Sequence, residues 1–230
     1  MLITLLLYFS YLASANSHCD LNMTMPCWVE ASRIRPTQFA LGMGTVPDNI
    51  AKLEKAYAKE KMYDFWIKKN LNAVRSHEGW YYISDGHHTV AGLIYSQQIP
   101  LAAKYVMFTS LEQMEYLSTE DFKRYLIQSN KTFLYDNLFN LRTFEELPTD
   151  FYQMQDSAYR TFSELVLDNE GYCKVPVLYL EFIWAHYFMN QLNRRGIYFR
   201  NSFDNLESYL DLGLQLARDQ AASQLPGYGC

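Results

Sequence analysis

Ile83-Ser84-Asp85-Gly86-His87-His88-Thr89 is the stretch on which the reading of this chain turns. Before it runs an aromatic, β-prone segment, Gly79-Trp80-Tyr81-Tyr82-Ile83; after it Thr89-Val90-Ala91-Gly92-Leu93-Ile94-Tyr95 has helical character. A strand that breaks at Asp-Gly and restarts as a helix leaves backbone N–H groups without intrahelical acceptors, backed by the positive end of the helix dipole. That arrangement is a seat for phosphate or carboxylate. Two imidazoles add hydrogen-bonding and proton-transfer capacity near neutral pH. A plainer reading stands beside this one: Asp85 is an N-cap accepting the N–H of His87 or His88, with Gly86 easing the turn. Adjacent helical residues point roughly 100° apart, so one functional and one packed histidine are expected unless the helix start is irregular.

Working outward, residues 28–34 read as a strand running into Arg35-Pro36-Thr37-Gln38, where the proline keeps Arg35 extended. Gly42-Met43-Gly44 marks a turn. Over 49–71, Ile50, Leu53, Ala56, Tyr57 and Phe65 recur at helical spacing, and Lys52, Lys55 and Lys59 share another face. Such a face is usually solvated, and a phosphate-attracting role for Lys52 is the sharper alternative. Strands at 80–84 and 103–108 around a helix ending near Gln98 give a βαβ-like order. Ser110 can cap a helix to Leu117, and Ser118 another to Gln128. Further helices are expected over 156–167 and 177–193, the latter opened by Pro176 and stopped by Gly196. An amphipathic helix from Ser202 carries Phe203, Leu206, Tyr209, Leu210 and Leu214 on one side.

The 230 residues, with 20 Lys and Arg against 25 Asp and Glu, are globular in composition. The formal charge of −5 argues against a dedicated duplex-DNA binder, which shows a basic face, while leaving room for a local basic patch. Met1 to Leu12 form an apolar run ending in Ala13-Ser14-Ala15, the pattern of a secretory signal cut after Ala15, although no Lys or Arg precedes it. Export makes Cys19, Cys27, Cys173 and Cys230 disulfide candidates with three pairings, of which Cys19 with Cys27 closes the shortest loop. Asn22-Met23-Thr24 and Asn130-Lys131-Thr132 match the glycosylation pattern, as chance readily produces. Beyond the leader no run is long and apolar enough to span a bilayer.

Four motifs occur in order: Arg35-Pro36-Thr37-Gln38, Ser84-Asp85-Gly86-His87-His88-Thr89, Asp156-Ser157-Ala158-Tyr159-Arg160 and Glu181-Phe182-Ile183-Trp184-Ala185. Together they resemble the ParB-like nuclease family, a branch of the ParB/sulfiredoxin-like superfamily. The resemblance implies an α+β fold with a small mixed core over 30–145 and a mainly helical region over 146–230 in the same structural unit. Residues 1–15 would be the signal and 16–29 an N-terminal segment. It implies ligand contacts at Arg35, Thr37, Gln38, Asp85, Gly86, His87 and His88, with Thr89, Lys52, Arg160 and Glu181 as further candidates. Sulfiredoxins carry a cysteine where this chain has Gly86 and His87, which argues against cysteine repair. The serine kinases of the superfamily follow the second histidine with arginine, and Thr89 cannot grip a polyphosphate bidentately.

The function these readings give is a secreted or periplasmic phosphoester-handling enzyme, a nuclease or phosphodiesterase. Asp85, His87, His88 and Arg35 would form its catalytic group, one histidine acting as acid or base. The alternatives are a nucleotide-dependent small-molecule kinase and a phosphate-binding module without catalysis. The partner is a phosphate-containing small molecule, nucleotide or nucleic acid. A divalent metal such as Mg²⁺ is the candidate cofactor. Glu181, in an aromatic helix, needs a partner, and Arg160 is the candidate, as a buried structural pair or a catalytic couple. His186 reads as a packing residue, since no second histidine lies at ligand spacing.

Overall fold

The computed structural model describes residues 18–19 and 25–229. The leader with its cut after Ala15, the Asn22 acceptor site and Cys230 lie outside the described residues. A central four-stranded sheet has the order β2 (Ile34–Pro36), β5 (Tyr81–Ile83), β4 (Asn72–Arg75) and β7 (Ser110–Gln113). β2 runs parallel to β5 with Arg35 opposite Tyr82, β5 antiparallel to β4, and β4 parallel to β7. A two-stranded antiparallel ribbon joins β1 (Cys27–Glu30) to β6 (Tyr105–Phe108). β3 (Ala40–Leu41) and β8 (Gln155–Asp156) pair in parallel. Helices α1 (Val46–Ala58), α2 (Met62–Lys69) and α3 (His87–Tyr95) enclose these sheets. α4 (Thr119–Gln128) follows, and the second half is built on α5 (Ala158–Asp168), α6 (Leu180–Asn193) and α7 (Leu210–Arg218). The fold is α+β.

Several expected elements differ, those in the sheets because strand pairing outweighs local propensity. The strand expected over 28–34 divides at a 3₁₀ turn, Ala31–Arg33, so that β1 and β2 enter different sheets. The helix expected over 49–71 breaks after Ala58, where Glu60 takes φ +57°. Ser110 starts β7 instead of a helix, because the open edge of β4 accepts its backbone over the register Asn72 to Ser110. β5 and β6 flank α3 as expected but lie in different sheets, so no βαβ unit forms. Pro176 precedes α6 by several residues, and Tyr179 is the N-cap. The last segment begins as a 3₁₀ turn at Leu206 and becomes helical at Leu210, leaving Phe203 exposed. Ser118 does cap α4, accepting the Asp121 N–H at 3.2 Å.

Two large apolar cores result, with a small third cluster of Val74, Phe122 and Leu126 under α4. Trp66, Tyr81, Ile83, Val90, Leu93 and Phe108 fill one, around the sheets; Phe162, Tyr172, Trp184, Phe188 and Leu192 fill the other, among α5 to α7. Each fully buried large side chain contributes about 1.5–3 kcal/mol. Between them runs a polar seam. The Asp156 carboxylate accepts the Met43 N–H at 3.2 Å, the Ser202 N–H at 2.7 Å and the Ser202 hydroxyl. Gly42 and Gly44 lie against α5 so closely that a Cβ would stand 2.8 Å and 2.6 Å from Thr161 side-chain atoms. Close approach, not a positive φ, is therefore what these glycines permit. A disulfide joins Cys19 to Cys27, and Cys173 is disulfide-bonded as well.

Because the seam is hydrogen-bonded throughout and no Pro/Gly/Ser-rich linker separates the two cores, limited proteolysis is expected to yield no stable fragment ending near Phe144. A folded 30–145 fragment would contradict this.

Candidate functional site

The strand-to-helix junction is built as its residues require. β5 ends at Ile83, and Gly86 turns the chain at φ +79° as the N-cap of α3. A Cβ there would lie 2.5 Å from Leu71 Cδ2, so conformation and space both select glycine. Asp85 is not the cap: its Oδ1 accepts the Gly86 N–H at 2.6 Å, and no side chain caps α3. The helix start is irregular, with the N–H groups of both Thr89 and Val90 on the Gly86 carbonyl at 3.0 Å. The N–H groups of His87 and His88 meet no acceptor among the described residues.

The two histidines are held in the same way. Each accepts a backbone N–H through Nε2 at 3.1 Å, His87 from Thr37 and His88 from Gly42. Burial pushes the His87 imidazole down to about 3. Burial, with the charges of Arg160 and Lys69 and the neighbouring His87, holds His88 well below its usual value. Both rings are thus neutral, with the proton on Nδ1, and neither Nδ1–H has an acceptor among the described residues. The imidazoles fasten the start of α3 to the segments carrying Thr37 and Gly42, and each keeps one donor.

Asp85, His87 and His88 line one wall of a cavity of 380 Å³, which Gln38 shares. The other wall comes from the helical half: Arg160 on α5, the segment from Lys174 to Tyr179, and Glu181 on α6. The cavity is thus lined by residues of both halves of the chain. Arg160 is buried, with Nη1 2.9 Å from Glu164 Oε2, whereas Glu181 stands 3.9 Å away. Arg160 thus pairs with Glu181 as expected, at 3.9 Å, but Glu164 is the closer partner, and the i,i+4 spacing of Arg160 and Glu164 was the sequence signal for it. Arg160 Nε and the Tyr179 hydroxyl are buried without a partner.

Of the other candidates, Thr37 sits behind the wall, its hydroxyl donating to the Ile83 carbonyl at 2.6 Å. Arg35 is not brought to the cavity. Its side chain shares a strand position with Tyr82, lies 3.5 Å above the Trp80 ring and faces a separate groove with Glu78 and Leu147. Thr89 is buried against α1, bonding Asn49 Oδ1 at 3.2 Å, and Lys52 is exposed outside the cavity lining. His186 stacks on Phe139 at 4.7 Å. Lys174 and Tyr179 were not legible beforehand, since neither belongs to a motif. Among the described residues no three His, Cys, Asp or Glu side chains cluster to hold a metal, so the candidate Mg²⁺ has no ready-made cage.

The family profile described as Putative ParB-like nuclease matches residues 27–190. The chain belongs to that family. The match takes in both walls, so the ParB-like nuclease unit contains the whole cavity and not the α/β half alone. Among solved structures, the crystal structure of protein Atu1540 from Agrobacterium tumefaciens is similar in fold, with a TM-score of 0.74 at 20% identity over 91% of this chain and 98% of that one. No curated protein matches the chain.

Proposed function

We propose that this ParB-like chain hydrolyses a phosphoester whose phosphate sits at the start of α3. The observation that carries the reading is the set of donors there: two unpaired N–H groups at a helix N-terminus and two neutral imidazoles with Nδ1–H free, beside a cavity. Because both Nε2 lone pairs are already engaged, the histidines bind and position, and proton transfer falls to a carboxylate. Asp85 is exposed and has Oδ2 free of protein partners. Water attacks phosphorus and gives its proton to Asp85, the P–O bond to the leaving group breaks, and the leaving oxygen takes a proton from solvent. The family speaks for a nucleotide or nucleic-acid substrate. The charge of −5 favours a small or single-stranded one over a duplex.

The Cys19–Cys27 disulfide supports work outside a reducing cytoplasm, as does the leader pattern ending at Ala15. Among the described residues no helix is long and apolar enough to cross a membrane. The oxidised protein is expected to cleave bis(4-nitrophenyl) phosphate and short single-stranded oligonucleotides, assayed with and without Mg²⁺, with inorganic phosphate as a competitive inhibitor. Phosphate transfer from ATP to an acceptor without hydrolysis would put a kinase in its place. Phosphate binding without any turnover would leave only a binding module.

A further inference from the structure

The cavity offers donors that the phosphate at α3 does not use. Arg160 is 6% exposed. Its Nη1 is committed to Glu164 at 2.9 Å, its Nη2 is 3.9 Å from the nearest carboxylate oxygen, and its Nε has no partner. Nε and Nη2 form one edge of the guanidinium, the fork that takes an oxyanion through two parallel N–H bonds. Glu164 thus balances the charge, Glu181 faces Nη2 at ion-pair distance without a hydrogen bond, and Nε has no partner. Tyr179 lines the same cavity, and its hydroxyl is buried without a partner of hydrogen-bonding geometry. Thr37 Oγ1, towards which it lies, has given its own proton to the Ile83 carbonyl. Tyr179 is held at φ +58°, a left-handed conformation that a large side chain adopts only under constraint, with Phe133 packed on its ring at 5.1 Å. Burial pushes its phenol up, so the hydroxyl remains a donor.

We propose that the Nε–Nη2 edge of Arg160 and the Tyr179 hydroxyl form a second oxyanion seat in the cavity, so that the ligand is a small molecule carrying two oxyanion groups, such as a nucleoside diphosphate or bisphosphate. This rests on the phosphate seat at α3 argued above, and adds to it the class of molecule that fits. Both sets of donors line the one cavity, and a single phosphate held at α3 does not use them all. A volume of 380 Å³ suits a ligand of nucleotide size.

Calorimetric titration of the full chain with inorganic phosphate, AMP, ADP and adenosine 3′,5′-bisphosphate tests this. ADP or the bisphosphate is expected to bind about tenfold or more tightly than AMP. Tyr179→Phe removes only a hydroxyl that lies towards Thr37 without hydrogen-bonding geometry and keeps the ring packed on Phe133, so the fold is kept. It is expected to weaken the two-phosphate ligand by about fivefold to tenfold and leave AMP unchanged. Arg160→Lys, which keeps the charge and loses the fork, should remove the two-phosphate advantage altogether. Equal affinity for AMP and both two-phosphate ligands, or a Tyr179→Phe variant that weakens AMP as much, overturns the second seat alone. Failure of phosphate and AMP to bind at all removes the α3 seat, and this proposal with it.

Discussion

Lowering the pH from about 7.5 to about 5.0 is expected to destabilise the protein by about 2 kcal/mol through the neutral His87 imidazole at the start of α3, with His88 adding to the loss in the same direction. The unfolded chain protonates its histidines as pH falls through about 6.5. The folded chain does not follow, because burial pushes His87 down to about 3 and holds His88 well below its usual value. Protonation would also place a proton on the Nε2 that accepts the Thr37 or Gly42 N–H, turning each hydrogen bond into a donor–donor clash. The stability these rings contribute is thus fully present above about pH 6.5 and is lost progressively between there and about 3. Asp136, where hydrogen bonds from Asn140 and Arg142 outweigh burial and hold the carboxyl low, adds its loss only below the carboxylate range. The interval from 6.5 down to 5 therefore reports the histidines, His186 among them, whose imidazole burial also holds low; the His87 share is read from the variant. Urea unfolding across this interval should show a slope steeper than the roughly 1.4 kcal/mol per pH unit of a single histidine. His87→Gln, whose amide oxygen can still accept the Thr37 N–H, should lower it by about 1.4 kcal/mol per pH unit. A stability that stays flat from pH 7 to 5 would mean that the rings are open to water.

Asp85→Asn is expected to lower phosphodiester turnover by about 10²-fold or more while shifting the melting temperature by no more than about 2 °C. The two readouts separate cleanly here because Asp85 does not cap α3, and its one hydrogen bond is local. An amide oxygen replaces that bond; it cannot take a proton from water. Binding of inorganic phosphate should be unchanged or slightly tighter, since a negative charge beside the seat is gone. Wild-type turnover in the variant would assign the base elsewhere, with Glu181 the other carboxylate on the cavity wall. A large fall in melting temperature would show instead that Asp85 is structural.

The sequence by itself determined the junction. A strand, an Asp-Gly break and a helical run are signals carried by neighbouring residues, and they survive any arrangement of the rest of the chain. It also determined the family, because four motifs in order are a property of the chain. Which motif residues meet was decided by tertiary structure. Arg35 and Arg160 look equally suited to an anion in the sequence, but strand alternation against β5 turns Arg35 towards Trp80, whereas α5 packs so that Arg160 enters the cavity. Ser110 illustrates the same limit in the backbone: its residues favour a helix locally, and the unpaired edge of β4 makes them a strand. Lys174 and Tyr179 carry no local signal at all, since their place on the far wall depends on two cores meeting along a polar seam. Local propensities act over a few residues, whereas a site built from both sides of a seam is fixed by contacts between segments about a hundred residues apart, as the Asp156–Met43 bond is at a separation of 113. That distance along the chain is the reason the seat could be read from its residues and the opposite wall could not.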